Sequence, residues 1–241
     1  MIPKVSIVIP SYNESECICE LVERIASSTA EWLKTDGGLE VVIVDDNSPD
    51  GTISLCQVIA IKHPFLRVIV RHRERGLATA IRKGIEESYG DIIVVMDADL
   101  SHSPEMVPTL VTQVAQDSID IAVASRFING GDMISSRRCV WGSKFLNRYV
   151  TTLLHIPAKD VTGGFFAIRR SALDTINFNT VFKGHGDYCF ALLYEGLGSG
   201  WHMSEFGFTY HARKHGTSKT NYFRSGISYG VRAIKLRLGI D

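Results

Sequence analysis

The strongest constraint on the fold is a regular alternation of short apolar runs with segments whose apolar residues recur at helical spacing. The first two runs span residues 5–10 and 39–44 and are rich in β-branched side chains. Runs without polar alternation suit strands that are covered on both faces. Between them, Cys17, Leu21 and Ile25 share one face of a helix. The alternation therefore predicts an α/β fold, with a parallel sheet and helices on both faces.

The same alternation continues along the chain. Further strands are predicted at residues 66–70, 92–96, 119–124 and 201–210, and residues 162–168 are expected to form a turn that leads into a strand. Further helices are predicted at residues 52–63, 78–88, 105–115, 140–155 and 187–195. Asn13 or Ser15 is expected to cap the first helix, and residues 130–132 are expected to form a loop. No Pro-rich or Gly/Ser-rich linker follows Arg126, where the pattern loosens, so we predict one domain.

Composition excludes several classes of protein. The 241 residues include 26 Lys+Arg and 26 Asp+Glu, so no global field would attract nucleic acid. No apolar run approaches the roughly 20 residues that span a bilayer. The five cysteines are odd in number and form no CxxC pair, which favours free thiols in a reducing cytosol. We therefore expect a cytoplasmic protein that is neither secreted nor membrane-spanning.

The residues that end the predicted strands are candidates for a ligand site, because open α/β sheets bind ligands beyond the carboxyl ends of their strands. Acidic residues and Tyr12 collect there. A dinucleotide fold needs Gly-x-Gly-x-x-Gly after the first strand, where this chain has Tyr12 and Glu14. A P-loop is missing too, so neither phosphate-binding motif explains the site.

Asp97 and Asp99 follow a buried apolar run and are separated by one residue. Two carboxylates that turn toward the same face repel each other unless a cation lies between them. Oxygen ligands with open positions suit Mg²⁺ or Mn²⁺ holding a diphosphate. The alternative is that one aspartate caps the helix starting near Pro104 and the other is solvated.

Five segments occur in an order that resembles the GT-A glycosyltransferases of family 2, and most closely the dolichol-phosphate (polyprenol-phosphate) mannosyltransferase group. They are residues 8–14 (VIPSYNE), 44–52 (VDDNSPDGT), 75–80 (RGLATA), 97–102 (DADLSH) and 161–167 (VTGGFFA). The resemblance covers roughly residues 4–220. It implies the GT-A fold of nucleotide-diphospho-sugar transferases, with a mostly parallel central sheet.

The resemblance also implies roles for particular residues. The residues expected to bind the nucleotide sugar are Pro10, Tyr12, Glu14, Val44, Asp46, Asp97, Ala98, Asp99, Arg126, Arg213 and Lys219. Among these, Asp97 and Asp99 are the expected metal ligands. The expected catalytic residues are Asp97, Asp99, Arg126, Arg213 and Lys219, the last two being phosphate clamps.

The chain departs from the pattern of this family at two places. Many relatives have glutamine two residues after the second acid, where this chain has Ser101. A lysine expected within residues 186–190 is not evident. Tyr12 could instead be a packing aromatic, and Glu14 could complement the dipole of the following helix.

Four further features have a structural role, no assigned role, or two possible roles. Asp45 is expected to serve its turn. The basic cluster of Arg71, His72, Arg73 and Arg75 could bind an anion at the helix that Gly76 opens, or could be a solvated loop. His102 has no assigned role, because it lacks metal-ligand spacing. The loop of residues 130–138 could close over a bound donor.

The end of the chain predicts an amphipathic helix. Its apolar stripe is formed by Phe223, Ile227, Val231, Ile234 and Leu238. Such a helix can lie at a membrane surface or pack on the sheet as a final core helix. We expect residues 1–220 to form the catalytic domain and residues 221–241 this helix, either as part of the same domain or in contact with a membrane.

The expected function is inverting, metal-dependent transfer of mannose from GDP-mannose to a polyprenyl (dolichyl) phosphate. The protein would then be peripheral on the cytoplasmic face of a membrane, or recruited by a membrane-embedded partner. One alternative is a transferase that moves glucose or GlcNAc from UDP to lipid phosphate or to a saccharide hydroxyl, with Asp187 as the candidate base. Another is a non-catalytic nucleotide-sugar-binding subunit.

Overall fold

The centre of the protein is a twisted sheet of seven strands. The structure, a computed structural model, describes residues 4–34, 38–116, 118–212 and 222–240. The strands of this sheet are β1 (Val5–Ser11), β2 (Leu39–Asp45), β3 (Leu66–Val70), β4 (Ile92–Val95), β5 (Ile121–Ser125), β7 (Phe166–Arg169) and β8 (Met203–Gly207). Their order is β3-β2-β1-β4-β7-β5-β8, and β7 runs antiparallel to both of its neighbours. The mostly parallel sheet is therefore confirmed.

Strand register aligns the carboxyl ends of the parallel strands at one edge. β1 pairs with β2 from Val5 opposite Leu39 to Ser11 opposite Asp45. On its other side β1 pairs with β4, up to Val8 opposite Val95. The segments that leave β1, β2 and β4 consequently start near one another.

Helices cover both faces of the sheet, as the sequence predicts. They are α1 (Ile18–Ser28), α2 (Ala30–Leu33), α3 (Thr52–Lys62), α4 (Leu77–Glu87), α5 (Val107–Ala115), α6 (Arg137–Leu154), α7 (Arg170–Leu173), α8 (Phe178–Val181), α9 (Tyr188–Gly198) and α10 (Tyr222–Leu238). Alternate residues of β1 point to opposite sides, so Val8 packs with α4 and α9 while Ile7 and Ile9 pack with α1 and α5.

The expected cap of the first helix is wrong. Cys17 occupies the cap position of α1 and makes no capping hydrogen bond through its side chain. The backbone N–H of Asn13 donates instead to Ser48 Oγ (2.9 Å), and that of Ser15 donates to Asp50 Oδ2 (3.1 Å). These residues therefore join the end of β1 to the turn after β2.

The predicted last strand, residues 201–210, is two strands. It breaks at the buried Phe208 into β8 and β9 (Thr209–Tyr210). Strand β9 pairs with β6 (Asp132–Met133), which lies within the predicted loop of residues 130–138. A Cβ on Gly207 would lie 2.4 Å from backbone atoms of Gly130 and Gly131. Glycine at 207 therefore lets the two segments cross closely enough for β6 to pair with β9.

The C-terminal helix α10 packs mainly against α6 and α9 rather than on the sheet. It does so through Ala233 and Leu236, which are buried. The exposed apolar residues of α10 include Ile227, Val231, Ile234 and Leu238, which all belong to the predicted stripe. Helix α10 therefore joins the core by way of α6 and α9, and these four residues of the predicted stripe face outward. The side chain of Phe223 lies outside the described residues. In the part of the chain that the structure describes, no helix is both long and apolar enough to cross a membrane.

Candidate active site

Asp97 and Asp99 lie at the carboxyl edge of the sheet, immediately after β4. The Asp97 side chain is 37% exposed, whereas Asp99 is buried. Leu100 follows with a φ of +63°, a left-handed conformation that turns the chain sharply at some cost in strain. Ser103, not an aspartate, is the cap residue of the single 3₁₀ turn that follows. The alternative of a helix-capping aspartate is therefore wrong, and the acid pair sits on a strained turn.

Ser101 orients the buried acid. Its hydroxyl and its backbone N–H both donate to Oδ1 of Asp99, at 2.5 Å and 3.0 Å. Tyr210 lies near the same acids. Burial, with the negative charges of Asp97 and Asp99, raises the pKa of Tyr210 to about 12, so its hydroxyl stays protonated.

His102 supports the first acid from inside the core. Its Nδ1 accepts the backbone N–H of Asp97 (3.0 Å), and its Nε2 lies 3.8 Å from Asp97 Oδ2. The ring stacks on Phe165 with centroids 4.8 Å apart. Burial lowers the pKa of His102 to about 4, so the imidazole is neutral at pH 7. The sequence offered one sign of this role, its place in the segment 97–102.

Asp46 is held by a buried arginine. Arg71 donates to Asp46 Oδ1 through Nε (2.7 Å), and the backbone N–H of Gly76 donates to Oδ2 (2.8 Å). Arg71 also donates to Thr79 Oγ1 (2.8 Å), which ties the loop before α4 to the helix. The solvated-loop alternative is therefore wrong for Arg71. Asp45 accepts the Ser48 N–H and hydroxyl, each at 2.7 Å, and so serves its turn as expected.

The segment after β1 combines exposed and buried groups. Tyr12 lies under Arg75, whose guanidinium carbon is 5.0 Å from the ring centroid. Glu14 is buried, and its backbone N–H donates to Thr52 Oγ1 (3.0 Å). Pro10 and Val44 face each other in the β1–β2 register and are buried within the sheet. Contact between either of these two residues and a ligand would therefore involve the backbone.

Arg126, at the end of β5, is fixed by an acid that sequence reasoning missed. Its Nε and Nη2 donate to the two carboxylate oxygens of Asp160 at 2.6 Å and 2.7 Å, and Nη2 also reaches Thr162 Oγ1 (3.0 Å). Burial lowers the pKa of Arg126, but Asp160 outweighs burial, raises it and keeps the guanidinium charged. Asp160 is fully buried. No local pattern signals a pairing across 34 residues.

The loop that carries Asp160 is anchored to α6. Asn147 on α6 is buried, accepts the Val161 N–H (2.7 Å) and donates to Thr162 Oγ1 (3.0 Å). Gly164 follows with a φ of +73°, and a Cβ there would lie 3.2 Å from the Tyr188 hydroxyl. Glycine at 164 therefore allows the loop and α9 to approach each other beside the acids.

The segment before α9 contains the candidate base. Asp187 is buried, accepts the His185 backbone N–H (2.6 Å) and lies 3.9 Å from Nε of Arg232 on α10. No lysine occurs in residues 186–190. Burial raises the pKa of the Cys189 thiol to about 12, so that residue supplies no charge. Arg213 and Lys219 lie outside the described residues.

The arrangement of Asp97 and Asp99 suits a divalent ion that is coordinated partly by the protein and partly by a bound substrate. Among the described residues, no group of three or more His, Cys, Asp or Glu side chains forms a metal cage. Mg²⁺ commonly binds through one or two carboxylates together with phosphate oxygens of a substrate. A buried, oriented Asp99 beside a more exposed Asp97 matches that pattern.

Known proteins resemble this chain over most of its length. A family model described as glycosyl transferase family 2 matches residues 6–176. A dolichol-phosphate mannosyltransferase of Pyrococcus furiosus is 36% identical over 90% of this chain, which spans 59% of that protein. A polyprenol monophosphomannose synthase of Mycolicibacterium smegmatis is 34% identical over 88% of this chain and 79% of its own length. An undecaprenyl-phosphate mannosyltransferase of Micrococcus luteus is 30% identical over 98% of this chain and its entire length.

Solved structures confirm the fold. Glucosyl-3-phosphoglycerate synthase from Mycobacterium tuberculosis, crystallised with Mn²⁺, uridine-diphosphate and phosphoglyceric acid, superposes with a TM-score of 0.72 at 20% identity. The match covers 99% of this chain and 80% of that one. The same enzyme with Mg²⁺ and uridine-diphosphate gives a TM-score of 0.71 at 20% identity, covering 99% of this chain and 80% of that chain. At this identity the likeness concerns the fold alone, which is GT-A.

Proposed function

The chain belongs to glycosyl transferase family 2, and from that premise we propose that it transfers mannose from GDP-mannose to a polyprenyl phosphate. The observation that carries this proposal is its likeness to three relatives named for mannosyl transfer to a prenyl phosphate. Their identities are 30% to 36%, and they cover between 88% and 98% of this chain. The site geometry supports a glycosyl transfer that needs no protein base.

We assign the nucleotide to the ends of β1 and β2. Tyr12, Glu14 and Asp46 lie there, with Pro10 and Val44 contributing backbone. Because Asp46 is already bound by Arg71 and Gly76, its role includes fixing the Arg71 guanidinium at the start of α4. The free N–H groups of that helix start and the neighbouring arginines favour an anionic ligand.

We assign the metal to Asp97 and Asp99, with the Ala98 backbone between them. When bound, Mg²⁺ or Mn²⁺ would neutralise the diphosphate of the donor and of the departing nucleotide. The protein residues prepare this site: Ser101 orients Asp99, and His102 fixes the backbone of Asp97. An enzyme of similar fold has been crystallised with Mn²⁺ and with Mg²⁺, which supports the choice of a hard divalent cation.

A polyprenyl phosphate can act as nucleophile without a base. Its second pKa lies near 6, so it is largely dianionic at pH 7. One phosphate oxygen forms a bond to the anomeric carbon of mannose, while the bond from that carbon to the GDP oxygen breaks and GDP leaves with the electron pair. Attack from the opposite side converts an α-linked donor into a β-linked product. The chain then has only to align the groups and balance their charge.

Arg126 is the cation that we assign to the phosphates. Asp160 and Thr162 occupy Nε and Nη2, and Nη1 has no hydrogen-bond partner among the described residues. A guanidinium held in this way loses little conformational freedom when it binds an anion. Arg213 and Lys219 are proposed as further phosphate clamps on the strength of the sequence motif alone.

An apolar surface made by α6 and α10 is the proposed membrane contact. Trp141 and Phe145 on α6 are 74% and 76% exposed, and Ile227 and Leu238 on α10 are 57% and 63% exposed. A Cβ on Gly230 of α10 would lie 3.7 Å from the Tyr149 ring on α6, so the two stripes are adjacent. Exposed apolar faces of this extent mark interaction sites, and amphipathic helices bind membrane surfaces.

The basic residues that flank this surface would attract anionic lipids. The proposed location of the protein is the cytoplasmic face of a membrane. They include Arg137, Arg138 and Lys144 on α6 and Lys235 on α10, all of which are exposed. Basic residues near anionic headgroups contribute about 1 kcal/mol each. All five cysteines are free, as a reducing compartment would keep them. Residues 221–241, which contain α10, are thus assigned to surface contact.

The decisive experiment is an assay of the purified chain with radiolabelled GDP-mannose, Mn²⁺ and a short-chain polyprenyl phosphate. We expect a lipid-linked mannose that is labile to mild acid and absent without a divalent ion. Parallel reactions contain UDP-glucose or UDP-GlcNAc in place of GDP-mannose, and a saccharide acceptor in place of the lipid phosphate. Product from a UDP-sugar alone would overturn the donor assignment. Donor binding without any product would favour a non-catalytic subunit.

A further inference from the structure

The segment 184–187 leads into Tyr188, the first residue of α9, which lies on the side of the acid pair away from the proposed nucleotide site. The nucleotide segments follow β1 and β2, on one side of β4 in the sheet, and Gly164 precedes β7 on its other side. The Tyr188 hydroxyl lies against Gly164, and burial, with Asp97 among the charges acting on it, raises the pKa of Tyr188 well above its usual value. This segment therefore lies where an acceptor, rather than the nucleotide, would approach the acids.

Helix α10 holds this segment at Gly186. The Gly186 backbone N–H donates to the Tyr229 hydroxyl (2.9 Å), and the Tyr229 ring packs edge-on against Phe190 (6.0 Å between centroids). A Cβ on Gly186 would lie 2.3 Å from the Tyr229 hydroxyl oxygen. The contact therefore depends on glycine at 186 as much as on tyrosine at 229.

A second contact lies one turn further along α10. Arg232 Nε is 3.9 Å from Asp187 Oδ2, with the two side chains 11% and 8% exposed, and Arg232 Nη2 donates to the carbonyl of Thr180. The other carboxylate oxygen of Asp187 accepts the His185 N–H (2.6 Å). Asp187 is thus buried in contacts that link α10 to the segment before α9.

We propose that Tyr229 and Arg232 are positioning residues, through which α10 sets the acceptor side of the active site, and that Asp187 is their anchor rather than a catalytic base. The proposal rests on the proposed function, because it concerns the polyprenyl phosphate. Its structural basis is that one helix carries both the exposed apolar stripe and the two contacts to segment 184–187. Binding of α10 to a membrane is thereby coupled, through segment 184–187, to the arrangement of residues around Asp97.

The test compares Tyr229→Phe and Arg232→Gln with matched controls, using a water-soluble short-chain polyprenyl phosphate so that membrane binding does not enter. Tyr194→Phe on α9 and Arg237→Gln, an exposed site on α10, remove the same groups without a contact to segment 184–187. We expect kcat/KM for the acceptor to fall about tenfold in each test variant, the loss that removal of one buried hydrogen bond or ion-pair partner produces. The Mn²⁺-dependent thermal shift with GDP-mannose should stay at the wild-type value, and Arg232→Lys should recover part of the rate.

Two further measurements separate an anchor from a base and a failed inference from a failed function. If Asp187 is an anchor, Asp187→Asn and Arg232→Gln should lower kcat/KM to a similar extent, and their effects should not add. If Asp187 is a base, Asp187→Asn should cause a far larger loss of kcat and should remove one limb of the pH profile. Hydrogen exchange should be faster at Gly186 in Tyr229→Phe, and this readout needs no activity. An active wild type with unaffected variants and unchanged exchange would overturn this inference. A wild type without lipid product would overturn the proposed function instead.

Discussion

Ser101 donates two hydrogen bonds to a single oxygen, Oδ1, of Asp99. The serine stands where many relatives are expected to have glutamine, and from the sequence it reads as a short, weak ligand. In the structure its hydroxyl is already used, so it orients the acid. Ser101 thereby fixes the orientation in which the Asp99 carboxylate would meet a cation.

Removal of the Ser101 hydroxyl should weaken metal binding. Loss of a group that orients a ligand typically costs about 10-fold or more in metal affinity. We therefore expect Ser101→Ala to need about tenfold more Mn²⁺ for half of the full thermal shift with GDP present. Ser103→Ala, which removes a hydroxyl that makes no capping bond, is the control. An unchanged Mn²⁺ midpoint in Ser101→Ala would show that the serine does not act on the metal site.

Asp97→Asn should abolish the Mn²⁺-dependent part of donor binding while the fold stays intact. A ligand at 100 times its dissociation constant stabilises a protein by about 2.7 kcal/mol, which a thermal-shift assay resolves easily. We expect the wild type to show this shift with GDP-mannose and Mn²⁺, and the variant to show little of it. Asp91→Asn, at the opposite end of β4, is the matched control. Equal shifts in Asp97→Asn and the wild type would remove Asp97 from the metal site.

Asp160→Asn should be strongly destabilising. The change leaves Arg126 buried without its carboxylate, and removal of one partner of a buried ion pair typically costs about 3–5 kcal/mol. Urea unfolding measures the loss. The control is Glu105→Gln, which removes the partner of Arg24 in an exposed pair of 2.7 Å and should cost less than about 1 kcal/mol. Equal losses in the two variants would mean that the Arg126–Asp160 pair contributes no more than a surface pair.

Asp50 should stabilise the turn after β2 in a pH-dependent way. Burial raises its pKa, but hydrogen bonds from Thr52 and Ser15 outweigh burial and lower the pKa to about 2. Since the folded pKa lies below the unfolded value of 3.8, the contribution is present above about pH 4 and is lost as the pH falls through 2.

Urea unfolding of Asp50→Asn across this pH range measures that contribution. Asp50 is exposed, so we expect a loss of under about 1 kcal/mol at pH 7, which narrows toward pH 2. Asp174→Asn, on an exposed residue, controls for the loss of one surface charge. A loss that does not vary with pH would show that ionisation of Asp50 is not its source.

Binding to vesicles should place Trp141 in an apolar environment. Its side chain is 74% exposed, so insertion into lipid should shift its fluorescence to shorter wavelength. We expect this shift with vesicles that contain anionic lipid, and we expect Phe145→Ser to weaken binding several-fold. Ile61→Ser removes an 84% exposed apolar side chain from α3 and should have no effect. Equal weakening by the two variants would argue against a specific α6–α10 surface.

Local sequence patterns predicted most of the fold. Periodicity of two or 3.6 residues follows from which faces are buried, so β1, β2 and β4 and their covering helices could be identified. The paired strands β6 and β9 could not be identified in this way, because two-residue strands have no periodicity. The sequence also singled out the acid pair, because it ends a strand, and Asp46, because it matches a family motif; the roles of these residues in binding stay predictions.

What the sequence determined by itself is the order of strands and helices and the acidic edge at their carboxyl ends, because both depend on neighbouring residues. Only the tertiary structure decided that Asp160 neutralises Arg126, that His102 supports Asp97 from the core, and that α10 contacts Gly186 and Asp187 rather than the sheet. Each of these contacts forms only when the side chains involved are packed together in a buried site. Their free energy depends on desolvation and distance in three dimensions, which no spacing along the chain encodes.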